Sequence, residues 1–160
     1  MIKNAVEIIP FSDQYASAIK LLNTEWLEKY FEVEPSDEKT LSNPMSEIID
    51  KGGNIFYAKY QNQIVGTVSL MKIDDTTFEL SKMAVTEKVQ GLGIGKILIE
   101  YCMAFARDKG IKKLILYSNT ILVPAIKMYE KYGFIEVNLG SSIYKRSNIK
   151  MEKIICPNLN

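Results

Sequence analysis

The stretch from Asn54 to Val85 constrains this chain more than any other. Three runs, Asn54 to Tyr60, Gln63 to Ile73 and Thr77 to Val85, are rich in Ile, Val, Phe, Tyr and Thr and are parted only by Gln61-Asn62 and Asp74-Asp75-Thr76. β-Branched and aromatic residues interrupted at such short intervals by turn formers predict three strands of an antiparallel meander. Upstream, Ala5 to Pro10 alternates like a strand, and Tyr15, Ala18, Ile19, Leu22, Trp26, Leu27 and Tyr30 fall at helical spacing. Pro35-Ser36-Asp37-Glu38 and Ser42-Asn43-Pro44 read as starts of short helices. Downstream, Gly95 to Lys109 is an amphipathic helix closed by Gly110, Lys113 to Tyr117 a strand, and Pro124 to Tyr132 a helix ended by Gly133. Phe134 to Val137 and Ile143 to Met151 read as further strands. With no repeat or linker, residues 1–160 are expected to form one α+β domain with 154–160 as a tail. A chain of 160 residues buries roughly 70% of its unfolded surface, enough to need neither disulfides nor a structural metal.

Composition removes several chemistries. The sequence contains no histidine, which excludes Ser-His-Asp and Cys-His triads and every His-containing zinc site. Acid-base work falls to Glu, Asp, Lys, Tyr or Cys. With 20 Lys+Arg against 19 Asp+Glu, the chain lacks the basic excess that a nucleic-acid-binding protein needs. Cys102 and Cys156 show no metal or disulfide spacing, no run of 18 apolar residues occurs, and the start resembles no signal peptide. A cytoplasmic protein without membrane or nucleic-acid partners is expected.

The segment Gln90-Gly91-Leu92-Gly93-Ile94-Gly95-Lys96 lies where a strand hands over to a helix. Unpaired N–H groups and the helix dipole make such a junction an anion site, and glycines let backbone approach a diphosphate. A Walker A loop is excluded, because Gln90 stands where its first glycine belongs and Ile97 follows the lysine. The dinucleotide fingerprint fails too, since Lys96 replaces its third glycine. Residues 82–113 carry seven basic and three acidic side chains, which suits a ligand with several phosphates.

The motif Q-x-x-G-x-G from Gln90 to Gly95, preceded by Met83-Ala84-Val85, resembles the pyrophosphate loop of the GNAT superfamily of acetyl-CoA-dependent N-acetyltransferases. Downstream, Ala125, Tyr129, Gly133 and Phe134 fit that family's A-x-x-x-Y-x-x-x-G-F segment. The order of meander, glycine loop, helix, strand, helix and strand is similar over nearly the whole chain, and several stretches resemble single-domain bacterial members. The resemblance implies a mostly antiparallel sheet of six or seven strands with about four helices and two parallel central strands splayed apart, here Thr77 to Val85 and Lys113 to Tyr117.

It also implies that acetyl-CoA is the co-substrate and that no metal is used. Met83, Ala84 and Val85 would hold the pantetheine arm. Gln90, Gly91, Leu92, Gly93, Ile94, Gly95 and Lys96 would hold the diphosphate, with Lys88 as a further candidate. Asn119, Ala125 and Tyr129 would complete the cofactor contacts, although Asn119 stands six residues before Ala125 where three is commoner. Tyr129 is placed as proton donor to the departing thiolate, and Glu79, six residues before Val85, as base toward the acceptor, directly or through water. Cys102 falls on an apolar helix face and is expected to be inert, so transfer is direct in a ternary complex. The acceptor is an amine of a small molecule or peptide. Seven acidic against two basic residues between Glu28 and Asp50 point to a cationic one held by carboxylates such as Glu32 and Glu34. Homodimer formation stays open, and the competing reading is a non-catalytic acyl-CoA-binding or regulatory protein.

Overall fold

The computed structural model describes residues 5–141 and 144–156. Its centre is a seven-stranded mixed sheet in the order β1-β2-β3-β4-β5-β7-β6. The strands are β1 (Val6–Pro10), β2 (Asn54–Tyr60), β3 (Gln63–Lys72), β4 (Thr77–Val85), β5 (Lys113–Ser118), β6 (Ile135–Val137) and β7 (Ile149–Ile154). Every neighbouring pair is antiparallel except β4 with β5. Four helices flank the sheet: α1 (Ala16–Tyr30), α2 (Pro35–Ser42), α3 (Ile94–Asp108) and α4 (Val123–Lys131).

The meander forms because its turns are locally encoded. Gln61 and Asn62 both take positive φ, 50° and 63°, the geometry of a two-residue hairpin turn that matches strand twist. In the next turn the Asp74 Oδ1 accepts from the N–H groups of Thr76 and Thr77 at 2.9 and 2.8 Å. β3 is buried almost without alternation from Val65 to Leu70 because helices cover both faces of the sheet. On one face Phe56, Val68, Leu70 and Leu80 pack with Leu98, Ile99 and Cys102 of α3. On the other, Ile55 and Tyr57 pack with Ile19, Leu27, Leu41 and Ile48 from the α1–α2 region.

Two expectations shift near the C-terminus. Residues 144–148 form a loop, and the last long strand starts at Ile149 rather than Ile143, which lies outside the described residues. That strand continues through Ile154, paired with Lys113, and Ile155 is buried. The sheet therefore runs into the segment expected to be a tail, of which 157–160 fall outside the described residues.

Candidate active site

The two parallel strands part almost as soon as they pair. β4 and β5 are in register only at Thr77, Phe78 and Glu79 against Lys113, Leu114 and Ile115. The cause lies on the other side of β4, where Thr67 faces Ala84 but Ser69 faces Ser81. Two residues of β4, Lys82 and Met83, thus oppose Val68 alone, a β-bulge that bends the strand away from its neighbour. Lys82 takes the extra turn with φ +52°, a conformation that costs a non-glycine residue roughly 1–2 kcal/mol. Past the bulge, Thr86 N–H donates to the Val65 carbonyl at 2.9 Å. By antiparallel alternation Ala84 also bonds toward β3, and the backbone of Met83 and Val85 is directed to the open side.

The opening is a cleft that crosses the sheet. From the α4 side it is lined by Ala125 and Tyr129, along its walls by Glu79, Met83, Tyr117 and Asn119, and from the α1 side by Trp26 and Phe31. Tyr129 is nearly buried, its hydroxyl has no hydrogen-bond partner among the described residues, and burial pushes the phenol up to about 12. Glu79 is 6% exposed and accepts from the Tyr144 hydroxyl at 3.1 Å. Burial raises its carboxyl above the ordinary carboxylate range, and Tyr144, Ser81, Lys82 and Arg146 only partly oppose this. Glu79, on β4 six residues before Val85, thus stands in the cleft. Asn119 is in the cleft wall too, but both ends of its amide are engaged within the protein, donating to the Arg146 carbonyl at 2.7 Å and accepting from Ile121 N–H at 2.9 Å. Cys102 is fully buried on the core-facing side of α3, and its thiol is pushed up to about 12 by that burial, so it has no access to the cleft chemistry.

Beside Glu79 lies a charge cluster that sequence reasoning missed. Asp37, wholly buried at the start of α2, receives Lys82 Nζ at 2.6 Å and a two-pronged contact from Arg146, at 2.7 and 3.0 Å. Burial alone would raise the Asp37 carboxyl. The Arg146 and Lys82 hydrogen bonds outweigh it and hold the group at about 2. Glu34 accepts from the backbone N–H groups of Lys145 and Arg146 and from Arg146 Nη1 at 3.0 Å. Lys82 Nζ and the Arg146 guanidinium lie 4.7 and 4.9 Å from the centre of the Tyr144 ring. The expectation that Glu34 helps to hold a cationic acceptor is therefore corrected: its carboxylate and that of Asp37 are consumed in pinning α2 to β4 and to the 144–148 loop. Glu32 is exposed and does not line the cleft. The one sequence hint was a lysine in the middle of a strand that is otherwise mostly apolar after Glu79. Nothing local connects it to residues 45 and 64 positions away.

The glycine loop lies beyond the end of β4. Gln90 is exposed and its side chain donates to the Val85 carbonyl at 3.4 Å. The N–H groups of Gly91, Leu92, Gly93, Ile94, Gly95 and Lys96 find no acceptor among the described residues, and α3 begins among them. Gly91 and Gly93 have φ of +87° and +80°, so their backbone alone demands glycine. Gly95 is different, having an ordinary φ and no atom within 4 Å of where a Cβ would stand. Neither backbone strain nor internal packing requires a glycine there. Lys88 and Lys96 are exposed around the loop. Among the described residues no group of three or more Cys, Asp or Glu side chains is arranged to hold a metal ion, and no helix is long and apolar enough to cross a membrane.

Comparison with known proteins adds to this geometry. The sequence profile of the acetyltransferase (GNAT) family matches residues 18–134. Human N-acetyltransferase 8B is 31% identical over 104 residues, 59% of this chain and 46% of that protein, so the chain spans about half the length of the curated relatives it matches. An acetyltransferase of the GNAT family from Staphylococcus aureus Mu50 superposes with a TM-score of 0.86 at 21% identity, covering 95% of this chain and 100% of that one. A GNAT family acetyltransferase from Elizabethkingia anophelis, solved with acetyl-CoA bound, gives 0.71 at 25% identity over 94% of this chain and 99% of that one.

Proposed function

This chain belongs to the acetyltransferase (GNAT) family, and from that premise we propose that it transfers the acetyl group of acetyl-CoA to a primary amine of a small molecule or peptide by direct attack in a ternary complex. The observation that carries this reading is the junction of two features. The open edge of β4 at Met83 and Val85 is followed, after one short 3-10 turn, by six N–H groups around the start of α3 that find no acceptor among the described residues. Strand-edge groups suit the amide-bearing pantetheine arm, and the helix start suits the diphosphate. Ala84, Gln90, Leu92 and Ile94 belong to this binding segment, and Lys96 adds charge.

Bound there, acetyl-CoA supplies a thioester whose carbonyl carbon is attacked by the amine nitrogen as the C–S bond breaks. The residues of the cleft handle the protons. Glu79, raised by burial, receives a proton from the attacking amine directly or through a water, and the Tyr144 hydroxyl holds its carboxyl in place. Tyr129, at about 12, keeps its proton at neutral pH and offers a hydrogen bond to the developing thiolate. A thiol titrates near 8.5, so full transfer from so weak an acid is uphill and the O–H donor acts as a charge stabiliser. This modifies the simple proton-donor role expected from sequence.

Gly95→Ala tests the cofactor site. Because the new methyl meets nothing in the protein, the free enzyme should melt at the same temperature or higher, alanine being the better helix former by about 1 kcal/mol. Calorimetry should nevertheless find acetyl-CoA affinity reduced by about tenfold or more, the cost of roughly 1.4 kcal/mol of lost backbone approach. Unaltered affinity would move the diphosphate away from this loop.

Glu79→Gln tests the base. Turnover should fall by about 10²–10⁴-fold near neutrality, and the deficit should narrow as pH rises and solvent supplies free amine. In the unmodified protein, activity should decline as pH falls through the raised carboxyl pKa, because protonation there removes the base. A deficit that is constant between pH 6 and 10 would assign the proton to another acceptor.

A further inference from the structure

Acceptor chemistry is legible in what the α1 side of the cleft contains. Trp26 and Phe31 stand together there, ring centres 5.7 Å apart, and Tyr117 and Tyr144 form a second aromatic pair at 6.0 Å. Leu27 and Leu122 add aliphatic surface. Among the described residues Glu79 is the lone carboxylate in the lining, while Lys82 and Arg146 are both part of it. The acidic groups nearest by, Glu34 and Asp37, already hold those two cations.

Resting on the acetyltransferase reading, we propose that the acceptor is a monoamine carried on an apolar, aromatic-sized body, and that polyamines are disfavoured. The amine nitrogen is directed to Glu79 and the thioester, and the apolar body lies against Trp26, Phe31 and Tyr117. Burying such a body removes its apolar area from water without any polar group to satisfy. A second ammonium drawn in with the first would lose its hydration and find no free carboxylate in the lining, because Glu34 and Asp37 are already paired with Lys82 and Arg146, so desolvation disfavours polycations where the lining favours apolar bodies. The acidic excess of the Glu28 to Asp50 segment gives the opposite impression in sequence, because its two cleft-side carboxylates are neutralised by residues far along the chain.

Thiol release at saturating acetyl-CoA distinguishes these acceptors, with 2-phenylethylamine, propylamine and spermidine as probes. We expect kcat/KM for 2-phenylethylamine to exceed those for propylamine and spermidine by about tenfold or more, the discrimination that a few buried carbons provide. Phe31→Ala should raise KM for 2-phenylethylamine by about tenfold while acetyl-CoA affinity, measured by calorimetry, stays unchanged. Spermidine equal to or better than the aromatic amine would overturn the acceptor class and leave acyl transfer standing. Thiol release with none of the three, despite acetyl-CoA binding, would overturn the transfer reading and the acceptor class together.

Discussion

Tyr129→Phe is expected to lower kcat by about 10²–10³-fold, the usual cost of removing one preorganised donor from a site where negative charge develops. The substitution is unusually clean. Among the described residues the hydroxyl has no hydrogen-bond partner to abandon, and the ring keeps its edge contact with Phe134 at 6.0 Å. Melting temperature and acetyl-CoA affinity should therefore be unchanged, which separates lost catalysis from lost structure. With the phenol near 12, its ionisation should leave no inflection in the pH–rate profile between pH 6 and 10. Single-turnover kinetics should locate the loss in the chemical step. A variant whose chemical step runs at the original rate would return Tyr129 to the role of a core aromatic.

Asp37→Asn is expected to be the most damaging substitution for stability. It keeps the shape of the side chain but leaves Lys82, only 4% exposed, and Arg146 without their shared counter-charge. Breaking a buried pair from one side costs about 3–5 kcal/mol, which for a chain of this size is a melting point lower by roughly 6–20 °C. Glu38→Gln is the natural control. Its partner Lys20 and it are both largely exposed, so solvent and salt screen the pair and its loss should leave the melting point almost unchanged. The sign of the pH effect follows from the direction of the shift. Asp37 is depressed from 3.8 to about 2 in the folded protein, so its contribution is complete above pH 4 and is lost as pH falls through 2. Urea unfolding of the unmodified protein between pH 5 and 2 should show that loss, and the Asp37→Asn protein should show less of it. Equal stability of the two proteins would mean that the cluster compensates internally.

The consequence of Asp37 for function runs through the β-bulge. Lys82 holds a left-handed backbone conformation in mid-strand, and its ammonium is tied to α2. Loosening that tie frees the segment that directs Met83 and Val85 toward the gap. Asp37→Asn should therefore weaken acetyl-CoA binding as well as folding.

How much of this was legible in the sequence depends on the range over which each feature is decided. The meander, its two turns, the amphipathic α3 and the glycine-rich start of that helix are specified by residues within a few positions of one another. Turn geometry, strand alternation and helix periodicity are local physics. Gly91 and Gly93 are required by their own φ, and Tyr129 and Glu79 sit on spaced motifs whose separation survives in the one-dimensional chain. Pairing of charges is another matter. Lys82 finds Asp37 across 45 residues and Arg146 finds it across 109, and no pattern in sequence says which carboxylate will meet which cation. That pairing converted Glu34 and Asp37 from an apparent binding surface into a structural clamp, and with it turned the reading of the acceptor. The bulge at Lys82 was equally invisible, because an extra residue in one strand is defined only against the register of its partner. The sequence by itself determined most of the elements, their order and the glycine-rich junction ahead of α3. Only the tertiary structure decided where β4 and β5 part and which charges remain free in the gap, since both depend on contacts between segments that the chain brings together only on folding.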